Sequence, residues 1–229
     1  MTGGEIALVG KTLALEDQSQ MDSAGRTELT ADTITNHGKL IAGGDTRIKA
    51  TQADNHGLIA AKGHLETDGD TLNNTGTLQG GTLSLSGKAI DNSGTLAADT
   101  ALKVNAGSLN TGADSVLTSK GDIALTAAQK ADLDGRLNAD GGLSVTADAL
   151  LTRDTSQLQS TGDLTLKATG DARLEGTHAG KGKMVVDAQT IAHKGKSAAA
   201  AIDLKAGSFL ENSGTLVGDT LALKGDQVS

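Results

Sequence analysis

A unit of about nineteen residues recurs from one end of this chain to the other. It is clearest as Asn36-His37-Gly38-Lys39-Leu40, Asn55-His56-Gly57-Leu58-Ile59, Asn74-Thr75-Gly76-Thr77-Leu78 and Asn92-Ser93-Gly94-Thr95-Leu96, and again as Asn212-Ser213-Gly214-Thr215-Leu216. A fixed period of this size means one structural unit stacked on copies of itself, so the architecture follows from the repeat before any propensity argument. A repeat that fills the chain also leaves little sequence for a catalytic apparatus.

Degenerate copies fill the gaps. Counting back four places from an apolar residue sets anchors at Asp17, Asn36, Asn55, Asn74, Asn92, Ala113, Leu133, Asp154, Leu174, His193 and Asn212. The apolar slot itself reads Met21, Leu40, Ile59, Leu78, Leu96, Leu117, Leu137, Leu158, His178, Ser197 and Leu216, apolar in nine of eleven copies. A second segment alternates with period two, as in Leu83-Ser84-Leu85, Leu143-Ser144-Val145 and Leu164-Thr165-Leu166, the mark of a strand with one buried face. It ends on a residue with almost no side chain: Ala31, Ala50, Gly69, Gly87, Ala106, Ala127, Ala147, Ala168, Ala188, Ala206 or Gly225. Such a slot predicts a tight corner between stacked coils. A third short apolar position follows, as at Ile34, Leu72, Ile90, Leu109, Ile191 and Val228.

Three short strands separated by corners describe one coil of a parallel β-helix. The chain is predicted to be all-β, a right-handed parallel β-helix of about eleven to twelve coils of roughly 18–21 residues each. Residues 1–229 are expected to form one such segment. A leucine-rich repeat has a comparable period but needs a helical or 3₁₀ segment in each unit. The residues between these strands are Gly, Asp, Thr and Asn, which are poor helix formers.

The chain has no Trp, no Tyr and a single Phe. A globular core of this length normally draws on large aromatics, whereas a narrow solenoid interior is filled by stacked Leu, Ile, Val and Ala. Against 20 basic residues stand 28 acidic ones, a net charge of −8. That balance, with no basic run, argues against nucleic acid or anionic lipid as a partner. No apolar run approaches the ~20 residues of a transmembrane helix, so no membrane insertion is expected. Without cysteine there are no disulfides. The repeat is under way at Glu5-Ile6-Ala7-Leu8 and unfinished at Val228-Ser229, which predicts an internal segment of a longer filament.

Few residues invite a chemical reading. The anchors Asn36, Asn55, Asn74, Asn92 and Asn212 are expected to stack as a structural amide ladder. It is interrupted at Ala113, Leu133 and Leu174, where longer coils could carry a bulge that touches a partner. His37 and His56 share a slot one coil apart, but two imidazoles fall short of a zinc site. His178 and Ser197, polar in an apolar slot, are read as a hydrogen-bonded pair or as turned outward. Gly10-Lys11-Thr12 and Gly195-Lys196-Ser197 lack the upstream glycine and the helix of a phosphate-binding loop. Lys120-Gly121-Asp122 and Lys224-Gly225-Asp226 fall on ordinary turn and corner slots. Acidic residues such as Asp68, Asp70, Asp132 and Asp134 look scattered, without the clustered carboxylates of a glycosidase or polysaccharide lyase. No catalytic, cofactor or metal residues are assigned.

The Asn-x-Gly-x-Leu units, each followed by Leu-x-Leu-x-Ala/Gly, closely resemble the repeats of filamentous haemagglutinin-like proteins. The match is best over Asn74–Leu109 and Glu211–Val228. These are large exoproteins of Gram-negative two-partner secretion systems, among them adhesins and stalks of contact-dependent growth-inhibition toxins. The resemblance implies export through an outer-membrane transporter and display at the cell surface as a filament shaft. Receptor binding or toxicity would then reside in regions outside this segment, and the segment itself is expected to be a monomer. The alternatives are a binding module whose own face recognises a glycan or host protein and, more remotely, a carbohydrate-active enzyme. The family's secretion motif contains proline, which this chain lacks altogether.

Overall fold

The computed structural model describes residues 2–229. Over these residues 27 strands join in one continuous sheet that winds into a parallel β-helix of about 12 turns, with no helix. The middle of the chain shows the plan of one coil: three strands, Gln157–Ser160, Leu164–Ala168 and Asp171–Leu174. They pair in parallel with Arg136–Ala139, Leu143–Ala147 and Ala149–Thr152 of the preceding coil. Elsewhere the corners are shallow enough for strands to run on, and Thr77–Asn92 pairs with Thr95–Thr111 along almost its whole length.

Period-two alternation decides what fills the interior. On the second strand Leu83, Leu102, Ile123, Leu143, Leu164, Met184 and Ile202 form one fully buried column, and Leu85, Val104, Leu125, Val145, Leu166, Val186 and Leu204 another. The first-strand column runs from Met21 through Leu158, His178 and Ser197 to Leu216 in unbroken register. On the third strand Ile34, Ala53, Leu72, Ile90, Leu109, Ala131, Leu150, Ala172, Ile191 and Leu210 succeed one another. Each fully buried aliphatic side chain stabilises by roughly 1.5–3 kcal/mol. Outward ion pairs such as Arg26–Glu28, both about half exposed, contribute about 0–1 kcal/mol. The columns, not the surface charges, hold the coils together.

The small-residue corner stacks on itself, Ala31 on Ala50 on Gly69 and Ala147 on Ala168. A second small column, unanticipated in the sequence, closes the first strand: Gly80, Ala98, Ser119, Ala139, Ser160 and Gly180. Both flank the wide Leu columns where the chain must turn, and a larger side chain there would strike the neighbouring coil.

Three of the anchors are displaced. Asn92 pairs with Thr111, not Ala113; Leu133 pairs with Thr152, not Asp154; and Asn36 pairs back to Leu15, not Asp17. In these three coils the link from anchor to apolar slot spans six residues instead of four. The surplus forms an outward turn, and in the first of them Gln18 takes a left-handed φ of 62°. Counting back a fixed four residues therefore lands in the turn.

Candidate functional site

Two hydrogen-bonded seams of polar side chains run along the anchor column, apart from the buried hydroxyls of Thr27, Thr46 and Thr67, which sit unpaired in the second-strand columns. The first is made of amides. Asn36 Nδ2 donates to Asn55 Oδ1 at 2.7 Å, Asn55 to Asn74 at 2.7 Å and Asn74 to Asn92 at 2.6 Å. Each amide's second hydrogen reaches a backbone carbonyl, as from Asn55 to Thr77 O at 3.2 Å and from Asn92 to Gly94 O at 3.1 Å. All four asparagines are 3% exposed or less. Such chains of buried amides are satisfied only if every coil keeps its register. The glycine two places on is also forced, because a methyl group on Gly76 would collide with the Gly57 carbonyl oxygen of the coil below.

Thr111 ends the ladder. Its hydroxyl donates to Asp134 O and accepts from Asp134 N–H, both at 2.8 Å. Asn212 lies apart from the other four, and the polar groups that lead to it belong to a second seam.

That seam is made of hydroxyls and imidazoles. Thr152 Oγ1 lies 2.8 Å from His178 Nε2, and His178 Nδ1 lies 3.2 Å from Ser197 Oγ. Ser197 Oγ is 2.8 Å from His193 Nε2, and His193 Nδ1 is 2.7 Å from Asn212 Oδ1. Thr152, His178, His193 and Ser197 are all essentially inaccessible to solvent. His178 and Ser197 are thus hydrogen-bonded inside the core, not turned outward. Burial, and then the neighbouring His193, pushes the His178 imidazole down to about 3. His193 is also lowered by burial, although its hydrogen bond to Asn212 opposes the shift. A serine beside two imidazoles resembles a nucleophile and base, but no substrate reaches a group sealed between coils.

Between the seams sits a charged cluster that the sequence left looking like scattered acid. Asp132 faces away from the core, yet its side chain is only 6% exposed, because Arg153 and Lys130 cover it. Arg153 Nε and Nη2 each reach a different oxygen of Asp132 at 2.7 Å, and Lys130 Nζ lies 2.8 Å away. Burial alone would raise the Asp132 carboxyl. The hydrogen bonds from Arg153 and Lys130, with their charges, outweigh it and hold the group below its ordinary value. The signal missed is a basic residue one coil away from an acid, at a spacing of 21.

Asp132, Asp134 and Arg153 form one end of an open groove of about 420 Å³, whose floor is continued by Asn73, Asp91 and Asn110. On another corner His37 and His56 stack with ring centroids 4.7 Å apart and planes 18° from parallel. His56 Nδ1 also lies 2.7 Å from Thr75 Oγ1. Among the described residues no three His, Cys, Asp or Glu side chains converge on a point where a metal ion would bind.

The haemagglutinin repeat family matches the chain four times, over residues 22–88, 78–135, 128–176 and 177–229. No curated protein and no solved structure matches it.

Proposed function

This chain belongs to the haemagglutinin repeat family, and on that premise we propose that it is a length of filament shaft in a two-partner secreted exoprotein, an adhesin or a contact-dependent growth-inhibition toxin. Its task is mechanical: to carry a distal receptor-binding or toxin module away from the producing cell after export through an outer-membrane transporter. One observation carries this reading. The buried columns run from coil to coil in register, so the interior of the rod is given over to packed side chains. Stacking about 12 turns at ~4.8 Å gives a stiff spacer of roughly 55 Å.

We read the segment as non-enzymatic. Among the described residues the serine–histidine constellation at Ser197 is sealed in the core, and the buried carboxylate of Asp132 is neutralised by Arg153 and Lys130. A second reading rests on the groove near Asp132, where carboxylate and amide side chains in successive coils offer hydrogen bonds to sugar hydroxyls. In that reading the shaft itself binds a glycan. Small-angle scattering should return a rod of about the stated length, and glycan arrays and cell-binding assays should stay blank. Glycan binding that Asn110→Ala abolishes would replace the shaft reading by the second. Release of reducing sugar would overturn both.

A further inference from the structure

With Asn212 Oδ1 turned toward His193, the second seam allows one arrangement of protons. Asn212 Oδ1 only accepts, so His193 must carry its hydrogen on Nδ1, which leaves His193 Nε2 as an acceptor. Ser197 Oγ–H therefore donates to His193 Nε2, and Ser197 Oγ accepts from His178 Nδ1–H. His178 Nε2 is then an acceptor too, filled by Thr152 Oγ–H, while Thr152 Oγ accepts from the Glu175 N–H at 3.3 Å. The result is one directional chain through four coils, with both imidazoles neutral and every ring nitrogen satisfied.

One added proton breaks it. With a hydrogen on His178 Nε2, the Thr152 hydroxyl must accept from two donors and its own hydrogen has no acceptor. With a hydrogen on His193 Nε2, the same happens at Ser197. An orphaned donor and an uncompensated charge inside an apolar interior are both costly.

Nothing nearby compensates the charge. Among the described residues the titratable group facing each ring is the other ring, 6.3 Å away between centroids. On the packed anchor strands Arg153 is exposed, and Arg173 is paired outward with Glu175. Glu211, Lys194 and Lys196 also occupy outward-pointing positions. The preceding coil places Leu158 against His178 and Leu174 against His193. Nor does the amide ladder share this sensitivity, since asparagine does not titrate.

We infer that the Thr152–His178–Ser197–His193–Asn212 seam is an acid-sensitive latch: it locks the coils from Thr152 to Asn212 in register at neutral pH, and uptake of a proton releases them. The depressed basicity of both rings agrees in direction. A histidine that binds its proton less tightly when folded than when unfolded makes stability fall as pH falls. For His178 the window runs from the ordinary value of 6.5 down to about 3. Inside it the ratio of open to closed coils should rise about tenfold per pH unit through His178, and His193 adds in the same direction.

Amide hydrogen exchange of the intact chain between pH 6.5 and 4.5, corrected for intrinsic rates, tests the latch. Exchange through opening should climb steeply in the coils of His178, His193 and Asn212. Those of Asn55, Asn74 and Asn92 should stay nearly flat. The triple variant His178→Leu, Ser197→Leu, His193→Asn restores the residues of the other coils and should abolish the difference. Equal pH dependence at both ends, or a difference that survives in the triple variant, would overturn the proposal. Should the variant not fold, the ¹⁵N shifts of the wild-type His178 imidazole decide: a neutral Nδ1–H tautomer at pH 5 is expected, and a charged His178 ring at pH 6 would refute the latch.

Discussion

Asn55 gives one amide hydrogen to Asn74 Oδ1, one coil on, at 2.7 Å, and Asn74 does the same to Asn92 at 2.6 Å. Asn55 and Asn74 thus each accept from one neighbour and donate to the next. Replacing Asn74 by Ala leaves Asn92 Oδ1 without its donor and Asn55 Nδ2 without its shortest acceptor. A buried polar atom left unpaired costs about 1–3 kcal/mol. Urea denaturation should show Asn74→Ala less stable than wild type by that amount. Replacing the exposed neighbour Asn73 should change little, about 0.5 kcal/mol or less.

Ala147 lies directly on Ala168 in the corner column, at 3% and 8% exposure. Leucine at either position must push the coils apart, an overpacking cost of roughly 1–3 kcal/mol. Leucine at the exposed neighbours Asp148 or Lys167 should be nearly neutral, although Asp148→Leu also gives up a surface hydrogen bond from Thr169. Thermal melts of the four variants should fall into these two groups.

Arg153 and Lys130 together keep Asp132 charged, and the sign of the pH effect follows. Asp132 titrates below 3.8 when folded, so its contribution is present above that value and is lost as pH falls through its lower folded value. Arg153→Met leaves Lys130 as the one cationic partner. It should destabilise the rod at pH 7, though by less than breaking a fully enclosed pair, because both cationic partners are half exposed. Carbon NMR of the Asp132 carboxyl should show its titration moving upward in the variant. An unmoved titration would mean that Arg153 does not set the carboxyl's charge.

The fold was legible because its two strongest signals are independent of loop length. The apolar column from Met21 to Leu216 and the small corner column recur whatever lies between them, so stacking follows from them directly. The anchor column was less legible, because the two residues added before Met21, Leu117 and Leu158 are invisible to fixed counting. That error hid Thr152 behind Asp154. With Thr152 out of place, His178 and Ser197 read as an isolated pair, and His193 as one more anchor rather than a link. The Asp132 cluster was hidden for a different reason: its partners come from the same strand and from one coil on, and only three-dimensional stacking brings Lys130 and Arg153 together.

A rod in which each coil touches only its neighbours should also respond to mutation locally. Ala50 and Ala206 occupy the same corner column but lie about eight coils apart, roughly 40 Å at ~4.8 Å per coil. Their leucine variants share no contact, and the effects on stability should add to within about 0.5 kcal/mol. Ala147 and Ala168 are adjacent in that column. Once one leucine has spread the two coils, the second enters a gap already opened, so the double variant should lose less than the sum of the singles, by about 0.5–3 kcal/mol. Double-mutant cycles measured by urea denaturation compare the two pairs directly. Coupling of equal size in both would mean that strain travels the length of the rod, and that the coils behave as one rigid body rather than as a stack of neighbours.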